Sequence, residues 1–106
     1  MPNARDIDAK DHRGITCLGY AVGANRLRIA KLLVEVKADV NCVDTAGNSS
    51  LHYAAGYGRQ EMLEYLLGQG ADVNRTNKSG QKPLDVATRN QQSATIDVLR
   101  RGGSQR

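Results

Sequence analysis

The chain repeats itself with a period of 33 residues. Gly14, Gly47 and Gly80 are evenly spaced by that interval, as are Leu18, Leu51 and Leu84, and Ala21, Ala54 and Ala87. The end of each unit recurs as well, in Asp6-Ile7-Asp8, Asp39-Val40-Asn41 and Asp72-Val73-Asn74. Glycine recurs where a corner needs positive φ, and small or apolar residues recur where helices touch. A fixed period of this length implies stacked copies of one supersecondary unit that cannot bury its apolar face alone. Such a stack presents a long surface rather than enclosing a reaction.

The second copy shows the plan most clearly. Asp44-Thr45-Ala46-Gly47 is turn chemistry, and Ser49 is placed to cap a short helix carrying Leu51, Tyr53, Ala54 and Ala55, which Gly56 and Gly58 end. Arg59 to Leu67 reads as a longer helix with Met62, Leu63, Leu66 and Leu67 on one stripe, stopped by Gly68 and Gly70. Ala71 to Thr76 then returns in extended form. In the third copy Pro83 sits at the first helical position, where its missing N–H is tolerated. A second helix over Ala94–Leu99 buries Ile96, Val98 and Leu99. Asn90, Gln91, Gln92, Thr95 and Asp97 are expected to form a polar outer face suited to the end of a stack. Arg100 and Arg101 favour the negative end of that helix, and Gly102-Gly103 closes it.

The first copy is looser. Gly19 stands where the second copy has His52, Asn25 where it has Gly58, and Lys37 where it has Gly70. Lys37 costs roughly 1 kcal/mol if that corner is left-handed. Leu27, Ile29, Ala30, Leu32, Leu33 and Val36 nevertheless keep an apolar helix stripe. The expected division of the single 1–106 domain is 1–10 as the tail of a preceding unit or an N-terminal cap, 11–43, 44–76 and 77–103 as repeats, the last a C-terminal cap, and 104–106 as a tail.

Composition narrows the functions. With no Trp, no Phe and four Tyr, the core must be aliphatic. No apolar run approaches the ~20 residues needed to cross a bilayer. Met1–Arg5 is too polar to open a secretory signal, so the expected location is the cytoplasm or the nucleus. The net charge of +4 is uneven: residues 1–37 carry seven basic and four acidic side chains, residues 38–76 two and five, residues 77–106 six and two. That pattern lacks the continuous basic stripe of a nucleic-acid binder, so no nucleic-acid partner is expected. Cys17 and Cys42 make neither a disulfide framework nor a metal-ligand spacing, and they read as reduced thiols, Cys17 as core filler. His12 and His52 have no third orienting group that would complete a catalytic constellation with a cysteine. His52, in a helix start, reads as a structural hydrogen-bonding residue. A non-enzymatic chain without metal or other cofactor is the expectation.

The unit resembles the ankyrin repeat. The residues that carry the resemblance are Asp44-x-x-Gly47-x-Ser49-x-Leu51-His52-x-Ala54-Ala55, Gly58, and Leu66-Leu67-x-x-Gly70-Ala71-Asp72-Val73-Asn74, and the likeness covers residues 5 to about 103. It implies an all-α repeat solenoid: helix–turn–helix units joined by short β-hairpin-like loops. The family's Thr-Pro-Leu-His becomes Thr16-Cys17-Leu18-Gly19, Ser49-Ser50-Leu51-His52 and Lys82-Pro83-Leu84-Asp85, which implies a weakened Thr–His network in all three copies. Leu51–Arg59 with Pro83–Ala87 and Asn90–Gln92 is further similar to ankyrin domains of a plant cytosolic chaperone family for chloroplast outer-envelope proteins, and less closely to tankyrase-like ankyrin clusters. The former implies lipid-headgroup contact through Tyr57 and Arg59, the latter peptide binding.

The site follows from this architecture. Turn tips and first helices are expected to line a concave face carrying His12, Arg13, Ile15, Thr45, Asn48, Lys78, Gln81, Arg89 and Asn90, with Tyr57 as its principal anchor and Arg59 beside it. The expected partner is a protein or peptide segment bound by a monomer. Lipid-headgroup docking is the alternative.

Overall fold

The computed structural model describes residues 7–103; the first six residues of the expected 1–10 segment and the 104–106 tail lie outside it. Six helices follow in order: α1 (Cys17–Gly23), α2 (Leu27–Glu35), α3 (Ser50–Gly56), α4 (Gln60–Gly68), α5 (Pro83–Arg89) and α6 (Ser93–Val98), the last continuing as a π turn over Leu99–Gly103. They pair as three hairpins, α1/α2, α3/α4 and α5/α6. The middle hairpin is packed on both sides, α3 lying between α1 and α5. The molecule measures 39 Å along its longest axis against 26 and 23 Å.

Each hairpin begins at a corner built the same way. One side-chain oxygen of Asp11 accepts from the N–H groups of Arg13 and Ile15, both at 2.9 Å. Asp44 does the same for Ala46 and Asn48, and Asn77 for Ser79 and Gln81. An acid or amide at this position therefore satisfies two backbone donors that a tight turn leaves over. The expected hairpin-like character reduces to a single antiparallel bridge between Val43 and Ser49 among the described residues. Successive corners are tied through backbone: Thr45 N–H donates to the Arg13 carbonyl and Lys78 N–H to the Ala46 carbonyl, each at 3.0 Å.

This stacking explains the glycines. Gly14 (φ 78°) and Gly47 (φ 81°) are left-handed, and a Cβ on them would stand 2.7 Å from Thr45 N and 2.9 Å from Lys78 N, in the backbone of the following corner. Lys37 adopts φ 79°, so the strain foreseen at that corner is present.

The core is one aliphatic cluster running through the stack, with Leu18, Val22, Leu51, Met62, Leu63, Leu66 and Leu99 at its centre. The buried Thr16, Ser49, Ser50, His52 and Thr95 side chains each have a hydrogen-bond partner, as burial requires. The helix start at Ser49 departs from expectation, because the capping network in the second hairpin is complete. His52 Nδ1 accepts from the Ser49 N–H (3.0 Å) and lies 2.9 Å from Ser49 Oγ, while Nε2 faces the Gln81 carbonyl at 2.9 Å. These partners require a neutral ring protonated on Nε2. Serine supplies the hydroxyl, and the third hairpin supplies the carbonyl. In the third hairpin Asp85 takes the imidazole's place by accepting from Lys82 N–H at 2.9 Å.

Two further expectations are corrected. Thr95 belongs to the interior: it is fully buried, and its hydroxyl donates to the Ala55 carbonyl at 2.8 Å, satisfying an acceptor of the neighbouring hairpin. Cys17 is exposed rather than core filler, the next residue, Leu18, taking the buried position in the first turn of α1; Cys42 is half-buried. No helix among the described residues is long and apolar enough to cross a membrane.

Candidate interaction groove

The turn tips and the first helix of each hairpin enclose three adjoining hollows. The first, about 290 Å³, is lined by Arg13, Ile15, Gly19, Tyr20, Gly23, Ala24, Tyr53 and Tyr57. The second, about 200 Å³, shares Tyr53 and Tyr57 with the first and adds Asn48, His52, Gly56, Val86 and Asn90. The third, about 310 Å³, shares Asn48, Val86 and Asn90 with the second and ends on Gln81 and Arg89. Shared walls make these one groove running across the three hairpins.

Tyr57 stands on the ridge between the first two hollows and is 58% exposed. It follows Gly56 at the C-terminal end of α3, where small neighbours leave its ring uncovered. The Arg59 guanidinium lies 5.7 Å from the ring centroid and donates from Nη2 to the Gly23 carbonyl at 3.2 Å. Arg59 is half-buried, with Nε enclosed, so this side chain braces Tyr57 and the end of α1 from behind.

Two tyrosines outside the expected set line the same groove. The Tyr20 hydroxyl donates to the Asp11 carboxylate and the Tyr53 hydroxyl to Asp44, using the carboxylate oxygens that the corners leave free. Asp11 is held down at about 2, first by the Tyr20 hydroxyl and then by the Ile15 N–H. Burial, and then the Asp44 carboxylate, pushes the Tyr53 phenol up. One period on, Val86 has no hydroxyl to offer, and the corner residue is Asn77 instead. Its amide donates to Asn48 Oδ1 (2.9 Å) and Gln81 Oε1 (3.1 Å). The matched change from Asp–Tyr, Asp–Tyr to Asn–Val, nine residues apart in every copy, is the signal in the sequence that points to these tyrosines.

Of the expected site residues, Arg13, Ile15, Asn48, Tyr57, Gln81, Arg89 and Asn90 line the groove. Asn90 also braces it, donating from its amide to the Gly56 carbonyl at 3.0 Å. His12, Thr45 and Lys78 are exposed at the corners above it, with the Thr45 hydroxyl tied to the Arg13 carbonyl at 3.1 Å. No group of three or more His, Cys, Asp or Glu side chains among the described residues is placed to hold a metal ion.

Residues 2–77 match the family model described as ankyrin repeats (3 copies). The chain belongs to the ankyrin-repeat family. The matched segment covers the first two hairpins and stops at the third corner, so α5 and α6 are assigned to the stack by their geometry. No curated protein matches the chain, and neither closer resemblance, to the plant chaperone family or to the tankyrase-like clusters, gains support. Ankyrin repeats are generally protein–protein interaction modules, and the family is generally non-catalytic.

Proposed function

We propose that this ankyrin-repeat protein binds a segment of a partner protein along the groove, as a monomeric, non-catalytic adaptor of the cytoplasm or nucleus. The observation that carries this reading is Tyr57: a large aromatic ring, more than half exposed, set on a ridge between two hollows and braced from behind by Arg59. Aromatic side chains held open at low entropic cost dominate contact energy at protein interfaces. The engagement of Arg59 with the Gly23 carbonyl supports the same reading over headgroup docking, which needs that guanidinium free for an anion.

The test compares wild type with Tyr57→Ala in pull-downs from extract and in sedimentation with anionic phospholipid vesicles. The expected result is an unchanged melting temperature, a loss of partner capture of about thirtyfold (about 2 kcal/mol), and no vesicle binding by either protein. Undiminished capture by Tyr57→Ala sinks the reading. Vesicle binding that fades with salt and with Tyr57→Ala replaces it by the lipid alternative.

A further inference from the structure

The three hollows of the groove are not equivalent. Building on segment binding along that groove, we propose that the hollow between the first and second hairpins is an anchor slot for one aliphatic or aromatic side chain of the bound segment, and that Arg13 at its rim takes a carboxylate next to that anchor.

The floor of the slot is opened by the absent side chain of Gly23. Gly19 and Gly23 lie four residues apart on one face of α1, and their counterparts one period on are His52 and Gly56. In the second hairpin the corresponding hollow is smaller, about 200 Å³: His52 is buried in its capping network, and a Cβ on Gly56 would meet Val86 Cγ1 at 2.8 Å and Asn90 Nδ2 at 3.1 Å. In the first hairpin the hollow is closed at Gly19, where a Cβ would meet Ile15 Cγ2 at 3.0 Å and Tyr53 Cε2 at 3.2 Å, and open at Gly23. A Cβ on Gly23 would meet only Tyr57 Cε2, at an ordinary contact distance of 3.8 Å. The walls are the rings of Tyr20, Tyr53 and Tyr57. All three are fixed from outside the slot, two by their carboxylates and the third by Arg59. A volume of about 290 Å³ walled by fixed rings suits a single side chain and loses little entropy when one enters.

The rim selects the neighbouring charge. The acceptors beside the slot are already occupied: Asp11 and Asp44 each take two backbone N–H groups on one oxygen and a tyrosine hydroxyl on the other. The donor is lightly used. Among the described residues the exposed Arg13 guanidinium makes only a long 3.4 Å hydrogen bond to the Tyr20 hydroxyl, and Arg89 stands exposed at the far end of the groove. A partner that brings carboxylates therefore meets unspent donors, whereas one that brings ammonium groups finds acceptors already taken.

The experiment uses the full chain and an array of short synthetic peptides whose central residue is Leu, Phe, Ala or Lys and whose neighbour is Asp, Asn or Lys. Wild type is expected to retain Leu or Phe at the centre and Asp beside it. Gly23→Leu, which fills the slot and replaces a helical glycine by a better helix former, is expected to keep or raise the melting temperature and to lose at least about tenfold in affinity. Gly23→Ala should lose less, which preserves the test if the leucine perturbs the fold. Arg13→Gln is expected to keep the apolar preference and lose the preference for Asp over Asn. Wild-type affinity in both Gly23 variants, or selection of Lys or Ala at the centre, overturns the slot. If those variants bind normally while Tyr57→Ala does not, the slot falls and the groove stands. If no peptide binds, or Tyr57→Ala binds as well as wild type, both fall.

Discussion

Helices α2 and α4 occupy the same place in successive hairpins and carry the same apolar stripe, yet they live in different surroundings. Ile29 is 50% exposed, whereas Met62, its counterpart one period later, is fully buried. Leu32 is 61% exposed, whereas Tyr65 is half-buried with the Lys31 ammonium of α2 lying 5.5 Å from its ring centroid. Among the described residues α4 packs against both α3 and α6, whereas α2 packs to a comparable extent only against α1. The stripe in a repeat sequence thus marks a face able to pack, and contact with an adjoining hairpin decides whether it does. Stability in such a stack is held by interfaces between neighbours rather than by any one helix.

The sharpest way to break this comparison is to remove a buried leucine from α4 and an exposed leucine from α2. Leu66→Ala removes a fully buried side chain from the middle of the stack and is expected to cost about 2–5 kcal/mol, enough to unfold a three-hairpin array near its minimum length. Leu32→Ala is expected to change stability by about 0.5 kcal/mol or less. Urea midpoints measure both, and equal effects would contradict a stack held by neighbours.

The corners allow a second contrast. Gly47 and Gly80 share φ near 80°, but only Gly47 faces a following corner, and no atom lies within 4 Å of a Cβ placed on Gly80. Gly80→Ala therefore bears only the left-handed strain, about 1–2 kcal/mol. Gly47→Ala adds a backbone collision worth roughly 1–3 kcal/mol. Thermal melts of the two variants should separate accordingly.

The smallest effect distinguishes the second hairpin by its histidine. Burial, and to a lesser degree the nearby Arg75, lowers the His52 pKa, while the Gln81 carbonyl acts against the shift. The unfolded chain then binds more protons than the folded one below about pH 6.5. Stability supplied by neutral His52 is present above that pH and declines as pH falls through it. In His52→Asn, whose amide oxygen can still accept from Ser49 N–H, the urea midpoint should vary less between pH 8 and pH 5. An identical dependence in both proteins would remove His52 as its source.

How far the sequence could be read follows from the same contrast. Corners, caps and helix ends answer to local backbone demands, so Gly14, Gly47, Ser49 and Pro83 declare their roles within their own repeat. Thr95, Arg59 and Asn90 do not, because their partners are the carbonyls of Ala55, Gly23 and Gly56 in the preceding hairpin, 40, 36 and 34 residues earlier. A threonine that looks like outer polar surface is then an interior acceptor's partner, and an arginine that looks like a contact residue is a brace. The groove was legible at Tyr57, which small neighbours leave open. Its other walls were hidden in a correlation between corner and helix, Asp11 with Tyr20 and Asp44 with Tyr53, that becomes meaningful once Asn77 and Val86 are seen to change together.

Native-state hydrogen exchange tests the neighbour-held stack most directly, because it reads the opening of α2 and α4 in the same molecule. The account predicts that amides of Leu63 and Leu66 exchange only through global unfolding, while those of Ala30 and Leu33 open at distinctly lower free energy. Equal protection of the two helices, or stronger protection of α2, would contradict it.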